Sequence, residues 1–130
     1  MTDVTGAARL LLDTHVLLWW LRGTELSDDL RNRIDTELDV YVSPASIWEM
    51  SIKKATGKLN VPDDLIEWIE RSGLSDLPIR NAHADLAGRL PPIHRDPFDR
   101  MLIAQAMAEK LTLVTRDCLI QQYDVPTIKA

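Results

Sequence analysis

At 130 residues the chain has the length of one domain, and a domain of that size can bury roughly two-thirds of the surface its unfolded chain exposes. Forty-five per cent hydrophobic and 27 per cent charged residues, with 5 Gly and 7 Pro, exclude a low-complexity chain. A formal charge of −5 argues against a broad basic face for nucleic acid but not against a metal-dependent nuclease, whose carboxylates are negative until cations bind.

No apolar run reaches the ~18 residues of a membrane span, and the opening MTDVTGAAR lacks a basic segment followed by a long apolar one. Cys118 is the single cysteine, which fits a reducing compartment. The expectation is one cytoplasmic domain over residues 1–130, with residues 1–8 as a flexible tail and no membrane association.

In chain order, RLLL over residues 9–12 predicts a strand ending on Asp13-Thr14, and HVLLWWLRG a short helix stopped by Gly23. Ser27 caps DDLRNRIDTEL, where Leu30, Ile34 and Leu38 recur at a spacing of four. DVYVSP is a second short strand. Ser43-Pro44 then opens a helix through ASIWEMSIKKATG, with Pro44 at its first position and Gly57 as its stop. Another helix runs from Pro62 to Ser72; DLPI is a strand candidate, and NAHADLAGRL a short helix before the double proline. PFDRMLIAQAMAEK is the longest helix, followed by the strand LTLVT, by Arg116-Asp117 and by a short helix CLIQQ; VPTI reads as a last, edge strand. Strands alternating with helices predict a small parallel sheet flanked by helices, a layered α/β domain.

In a parallel sheet the ligand site lies beyond the carboxyl ends of the strands. Asp13 sits at that end of the first strand and Asp117 just past that end of LTLVT, while Glu49 lies about a turn and a half into the helix that leaves the second strand. A helix from 99 to 110 is ~17 Å long and an extended segment from 111 to 117 spans ~20 Å; joined by a residue or two they run antiparallel, which returns Asp99 to Asp117. Carboxylates this close repel unless cations lie among them. Hard oxygen donors without clustered Cys or His favour Mg²⁺ or Mn²⁺ over zinc, and such ions support phosphodiester hydrolysis by activated water.

These residues resemble the PIN domain, the nuclease fold of toxins in VapBC-type toxin–antitoxin pairs. LLLDTHVLLW is similar to the first strand and acid of that family, SIWEMSIK to its second acid, HRDPFDRMLIAQA to its third and LTLVTRD to its fourth, across residues 9–128. The resemblance implies a cleft lined by Asp13, Glu49, Asp99 and Asp117 that binds divalent metal and cuts RNA. It also implies a homodimer, and an antitoxin whose C-terminal segment covers the cleft in a larger complex. Gln105 stands where the family commonly has a small residue. Thr14 and Thr115 are expected as hydroxyls behind the ligands, and Arg100 and Arg116 as phosphate contacts. Asp96, before Pro97, is expected as the helix cap and a helper of Asp99.

Each residue has an ordinary alternative. Asp13 and Asp117 can cap the segments that follow them, Glu49 can pair with Lys53 one helical turn on, and Asp99 can close a capping box. His94 can act as a general base, although a histidine ahead of a helix more often orients a neighbour. His15 and His83 carry weaker claims. Trp19, Trp20, Trp48 and Trp68 are expected as core and interface anchors, one of the adjacent pair facing outward. Lys53, Lys54 and Lys58 form a small basic cluster that reads as a solvated face or an RNA guide. Two other functions compete: an aspartyl-phosphate phosphatase with Asp13 as nucleophile, disfavoured because His15 stands where such enzymes carry a second acid, and a catalytically silent PIN-like module that binds RNA or antitoxin.

Overall fold

The computed structural model describes residues 8–130, so the tail expected over residues 1–8 lies, Ala8 apart, outside the described residues. The chain runs β1 (Arg9–Leu12), α1 (Thr14–Arg22), α2 (Asp28–Thr36), β2 (Asp39–Val42), α3 (Pro44–Ala55), α4 (Leu65–Arg71), β3 (Ser75–Asp76), α5 (Asn81–Arg89), α6 (Pro97–Glu109), β4 (Thr112–Thr115), a single 3-10 turn at Ile120–Gln122, and β5 (Thr127–Lys129). Its five strands form one sheet in the order β3-β2-β1-β4-β5, every pairing parallel.

The strand order explains the run RLLL. β1 is central, so Leu10, Leu11 and Leu12 are all fully buried, and a central parallel strand covered on both faces reads as continuous apolar sequence. Successive residues still point to opposite faces. Leu10 and Leu12 join Val16, Leu17, Leu30, Ile34, Met50 and Ile69 in one core. Leu11 joins Leu102, Ile103, Leu113 and Ile120 in the other. The sheet is thus the middle of three layers, with α1, α2 and α4 on one side and α5 and α6 on the other.

Side-chain caps start the helices that matter for the site. Asp13 Oδ1 accepts from the Val16 N–H at 2.9 Å, Ser43 Oγ from the Ala45 N–H at 3.1 Å, and Asp96 Oδ1 from the Phe98 and Asp99 N–H groups at 2.8 and 3.2 Å. Pro44 and Pro97 take first-turn positions where a missing N–H costs nothing. At the far end of α6 the chain turns back through Lys110, whose φ of 58° is left-handed. That single-residue turn sends β4 antiparallel to α6 and returns the chain to the α6 N-terminus.

Several boundaries differ from the sequence expectation, each for a local reason. The stripe through Leu38 stops short: α2 ends at Thr36, and Leu38 is 91% exposed while Leu30 and Ile34 are buried. Helix α4 begins at Leu65 rather than Pro62 because Val61 is drawn into the core ahead of it. Strand β3 covers Ser75–Asp76 rather than 76–79; the Leu77 N–H makes the last bond, to the Val42 carbonyl at 2.8 Å, and Pro78 has no N–H to continue it. The segment CLIQQ forms only the 3-10 turn, and the last strand starts at Thr127, after Pro126 gives its carbonyl to the Leu113 N–H. Gln105, in place of a small residue, is fully buried and donates from Nε2 to the Leu77 carbonyl at 2.9 Å, fastening α6 to the end of β3.

Candidate active site

Beyond the carboxyl ends of β1 and β4 lies a cavity of about 290 Å³ lined by Asp13, His15, Trp19, Glu49, Lys53, Asp96, Asp99, Arg116 and Asp117. All four acids singled out in the sequence line this one cavity, and Asp96 makes a fifth carboxylate. Each arrives by a different route. Asp13 follows β1, Glu49 projects from the second turn of α3, Asp99 stands in the first turn of α6, and Asp117 follows β4.

Asp13 is both cap and site residue. Its Oδ1 holds the N-terminus of α1, while Oδ2 accepts from the Thr115 hydroxyl at 2.5 Å. Burial pushes its carboxyl above the usual range, against the pull of the Thr115 and Val16 bonds. Thr115 Oγ1 also accepts from the Asp117 N–H at 3.0 Å, so one buried hydroxyl ties the ends of the two central strands together. Thr14 does not enter the cavity; its hydroxyl donates to Ser46 Oγ at 3.0 Å and locks α1 to the helix that carries Glu49.

Glu49 is 3% exposed. Its Oε2 accepts from Lys53 Nζ at 2.8 Å, and its Oε1 is buried with no hydrogen-bond partner. The bond to Glu49 raises the Lys53 ammonium above its ordinary value, against burial, so the lysine stays charged.

Asp99 and Asp117 meet through His94, in the orienting role expected of a histidine ahead of a helix. His94 Nε2 donates to Asp117 Oδ2 at 2.9 Å and lies 3.0 Å from Asp99 Oδ2. The tautomer follows from the other ring nitrogen: the Asp96 N–H donates to Nδ1 at 3.2 Å, so Nδ1 is bare and Nε2 carries the proton. His94 is thereby a donor that holds the two carboxylates. The sequence signal was present in HRDPFDR, where a histidine two residues before the cap can reach back to the cap's own N–H, but its tertiary partner Asp117 could not be read. Burial, and then the nearby Asp96 charge, push the Asp99 carboxyl up to about 7 against the pull of His94. Burial also raises Asp117, yet the bonds from His94 and from the Leu119 and Ile120 N–H groups outweigh it and hold that carboxyl low. Asp99 closes no capping box; the Asp96 N–H is spent on His94.

The arginines divide. Arg116 lies on the rim, its guanidinium 4.3 Å from the centre of the Trp19 ring and bonded to the Glu25 and Ala130 carbonyls. Arg100, expected as a phosphate contact, points elsewhere: Nη1 donates to the Pro91 and His94 carbonyls, and Nη2 to those of Ala87 and Leu90, at 2.8–3.1 Å. It is a clamp on the chain between α5 and α6. The tryptophans divide too. Trp19 and Trp20 are both half-buried, Trp20 donating to Asp35, whereas Trp48 is 65% exposed and packs edge-on to Phe98 at 5.3 Å.

The donor set fits a hard divalent cation. All four acids offer oxygen, one oxygen of Glu49 is buried without a partner, and donor atoms of His94, Asp99 and Asp117 lie within 4.8 Å of one another. Of the four acids that group contains Asp99 and Asp117, which His94, protonated on Nε2, holds together.

The family model of the PIN domain matches residues 10–125. No curated protein matched the chain in sequence. Among solved structures the fold is similar to DNA-bound VapBC from Salmonella typhimurium, with a TM-score of 0.71 at 17% identity over 94% of this chain and 98% of that one. It is similar to FitAcB from Neisseria gonorrhoeae, with a TM-score of 0.66 at 23% identity over 92% and 96%. VapBC-5 from Mycobacterium tuberculosis matches with a TM-score of 0.61 at 17% identity over 95% and 99%. The five-stranded parallel sheet and a family match across nearly the whole chain agree: this protein belongs to the PIN domain family.

Proposed function

We propose that the chain is a single-domain, VapC-type ribonuclease toxin that hydrolyses RNA phosphodiesters with Mg²⁺ or Mn²⁺ at Asp13, Glu49, Asp99 and Asp117. The observation that carries this reading is the buried, unpartnered Oε1 of Glu49 in a cavity shared with the other acids. Buried polar atoms in folded proteins almost always have partners; Gln105 Oε1 in the core is unpartnered too, so it is the gathering of carboxylates around Glu49 at one cavity that points to a cation. Asp13, Glu49, Asp99 and Asp117 would hold the ion. When bound, it would supply charge for the phosphate and acidify a water.

The chain's own residues do the rest. His94 holds Asp99 and Asp117 together, and Thr115 aims Asp13. Arg116, over the Trp19 ring at the cavity rim, would offer a positive charge to a neighbouring phosphate. Its setting on an aromatic ring suits it to one face of a nucleotide strand.

The similar structures include DNA-bound VapBC from Salmonella typhimurium and VapBC-5, a member of the VapBC family of toxin–antitoxin systems, which supports a cognate antitoxin as partner. A homodimer and a larger complex with that antitoxin complete the proposal, with the cytoplasm as its location. No helix among the described residues is long and apolar enough to cross a membrane. The test is incubation of purified protein with single-stranded RNA and either ion. Cleavage that stops on chelation, and is missing in Asp13→Asn, is expected; cleavage that survives chelation contradicts the metal role.

A further inference from the structure

Resting on that metal reading, the geometry points to Lys53 as a tethered cation that occupies one oxygen of Glu49 and limits the site to a single divalent ion. Three observations carry it. The first is the contrast with other helical pairs of the same spacing. Arg71–Glu67 and Arg89–Asp85 are also i,i+4 pairs, their side chains 74% and 64%, and 66% and 71%, exposed; in a third, Arg33–Glu37, the acid is 13% exposed but its second oxygen accepts from the Ala8 N–H. The first two stay in water, where such pairs stabilise a helix by a few tenths of a kcal/mol. Glu49 is instead sequestered, its side chain 4% exposed beside a Lys53 that is 34% exposed. Burying a carboxylate for so small a gain has no structural reason.

The second observation is the division of the carboxylate. Lys53 takes Oε2 at 2.8 Å, and Oε1 is left buried without a partner. Lys53 thus occupies one Glu49 oxygen, and the enclosed Oε1 is the one it leaves without a partner. The third is charge. Lys53 lines the same cavity as five carboxylates, Asp13, Glu49, Asp96, Asp99 and Asp117. An ammonium carries three donor hydrogens, and Glu49 uses one. The remaining hydrogens and the fixed charge are available to a phosphate at the cavity mouth, a task that a second metal performs in two-ion nucleases. Lys53 is thus a positioning residue for Glu49 and a permanent monovalent partner for one divalent ion.

The experiment is a Mn²⁺ titration of the purified full chain without RNA, free Mn²⁺ being read by electron paramagnetic resonance. Wild type is expected to take up one ion per chain, Lys53→Met two, and Lys53→Arg, which keeps the charge, one. Thermal melts establish that each variant is folded, and Lys53→Gln replaces Lys53→Met should the latter fail. Two ions in the wild type, or one in the folded neutral variant, overturn the role of Lys53 while leaving the metal site intact. A folded wild type that binds no Mn²⁺ overturns the metal reading itself and the Lys53 role with it.

Discussion

Two neighbouring regions treat buried polar groups in opposite ways. Around Arg100 the polar groups are matched: its guanidinium satisfies the Ala87 carbonyl of α5 and the Leu90, Pro91 and His94 carbonyls of the α5–α6 connection, and Tyr123 Oη accepts from the His94 N–H at 2.8 Å and donates to the Pro91 carbonyl at 2.6 Å. In the cavity a few residues away, Glu49 keeps an oxygen without a partner and Asp99 is buried among like charges. The first pattern is how a protein holds a loop. The second is a local cost that a fold carries where a ligand is to compensate it. Substitutions in the two regions should therefore fail differently, one losing the fold and the other losing the chemistry.

The largest expected effect is at Asp99. On the proposed function, Asp99→Asn removes a charge that would hold the cation, with an expected loss of about 4 kcal/mol of transition-state stabilisation, or about 10³-fold in RNA cleavage rate. Its melting temperature is expected to match or exceed that of the metal-free wild type, because a crowded, buried carboxyl is relieved. A gel assay beside a thermal melt checks both halves. Arg100→Met should do the reverse: about 2–3 kcal/mol of stability lost in urea denaturation, from stranding the carbonyls it serves, with Mn²⁺ still bound by the folded fraction.

Thr115→Val is smaller. It strips the hydroxyl shared by Asp13 and the Asp117 N–H, at about 1–2 kcal/mol by the same denaturation, and it should raise the Asp13 carboxyl further. Smallest is the pH response of the metal-free protein. Asp99 binds its proton more tightly folded than unfolded, so its contribution is complete below the ordinary carboxyl range and is lost as pH rises through about 7. Melting temperature should fall between pH 5 and 8, and less so in Asp99→Asn. Asp117 acts oppositely and only in acid: its carboxyl is held low, so its contribution is lost as pH falls below the ordinary range.

What could be read in advance follows from the range of each interaction. The central strand, the caps at Asp13, Ser43 and Asp96, and the return of Asp99 to Asp117 rest on local chemistry and on the fixed rise of helix and strand, and so were legible. Leu38 shows the limit: its spacing fits the helix face, but the helix ends before it. Arg100 shows another, since a guanidinium beside an acid looks like a phosphate ligand until the carbonyls of the α5–α6 connection appear around it. His94 was visible as a residue, but its bond to Asp117, 23 positions on, depends on a loop whose path no periodicity encodes. The orphan oxygen of Glu49 could not be foreseen, because an i,i+4 lysine explains the same sequence.

The most direct test of a cation among these acids is the thermal stability of folded wild type and Glu49→Gln at pH 8 as Mn²⁺ is added. An ion that binds only the folded state stabilises it by about 2.7 kcal/mol at 100 times its Kd. The wild type should climb along that curve, and Glu49→Gln should need far more Mn²⁺ for the same shift. No shift in the wild type, or identical curves for the two proteins, would contradict it.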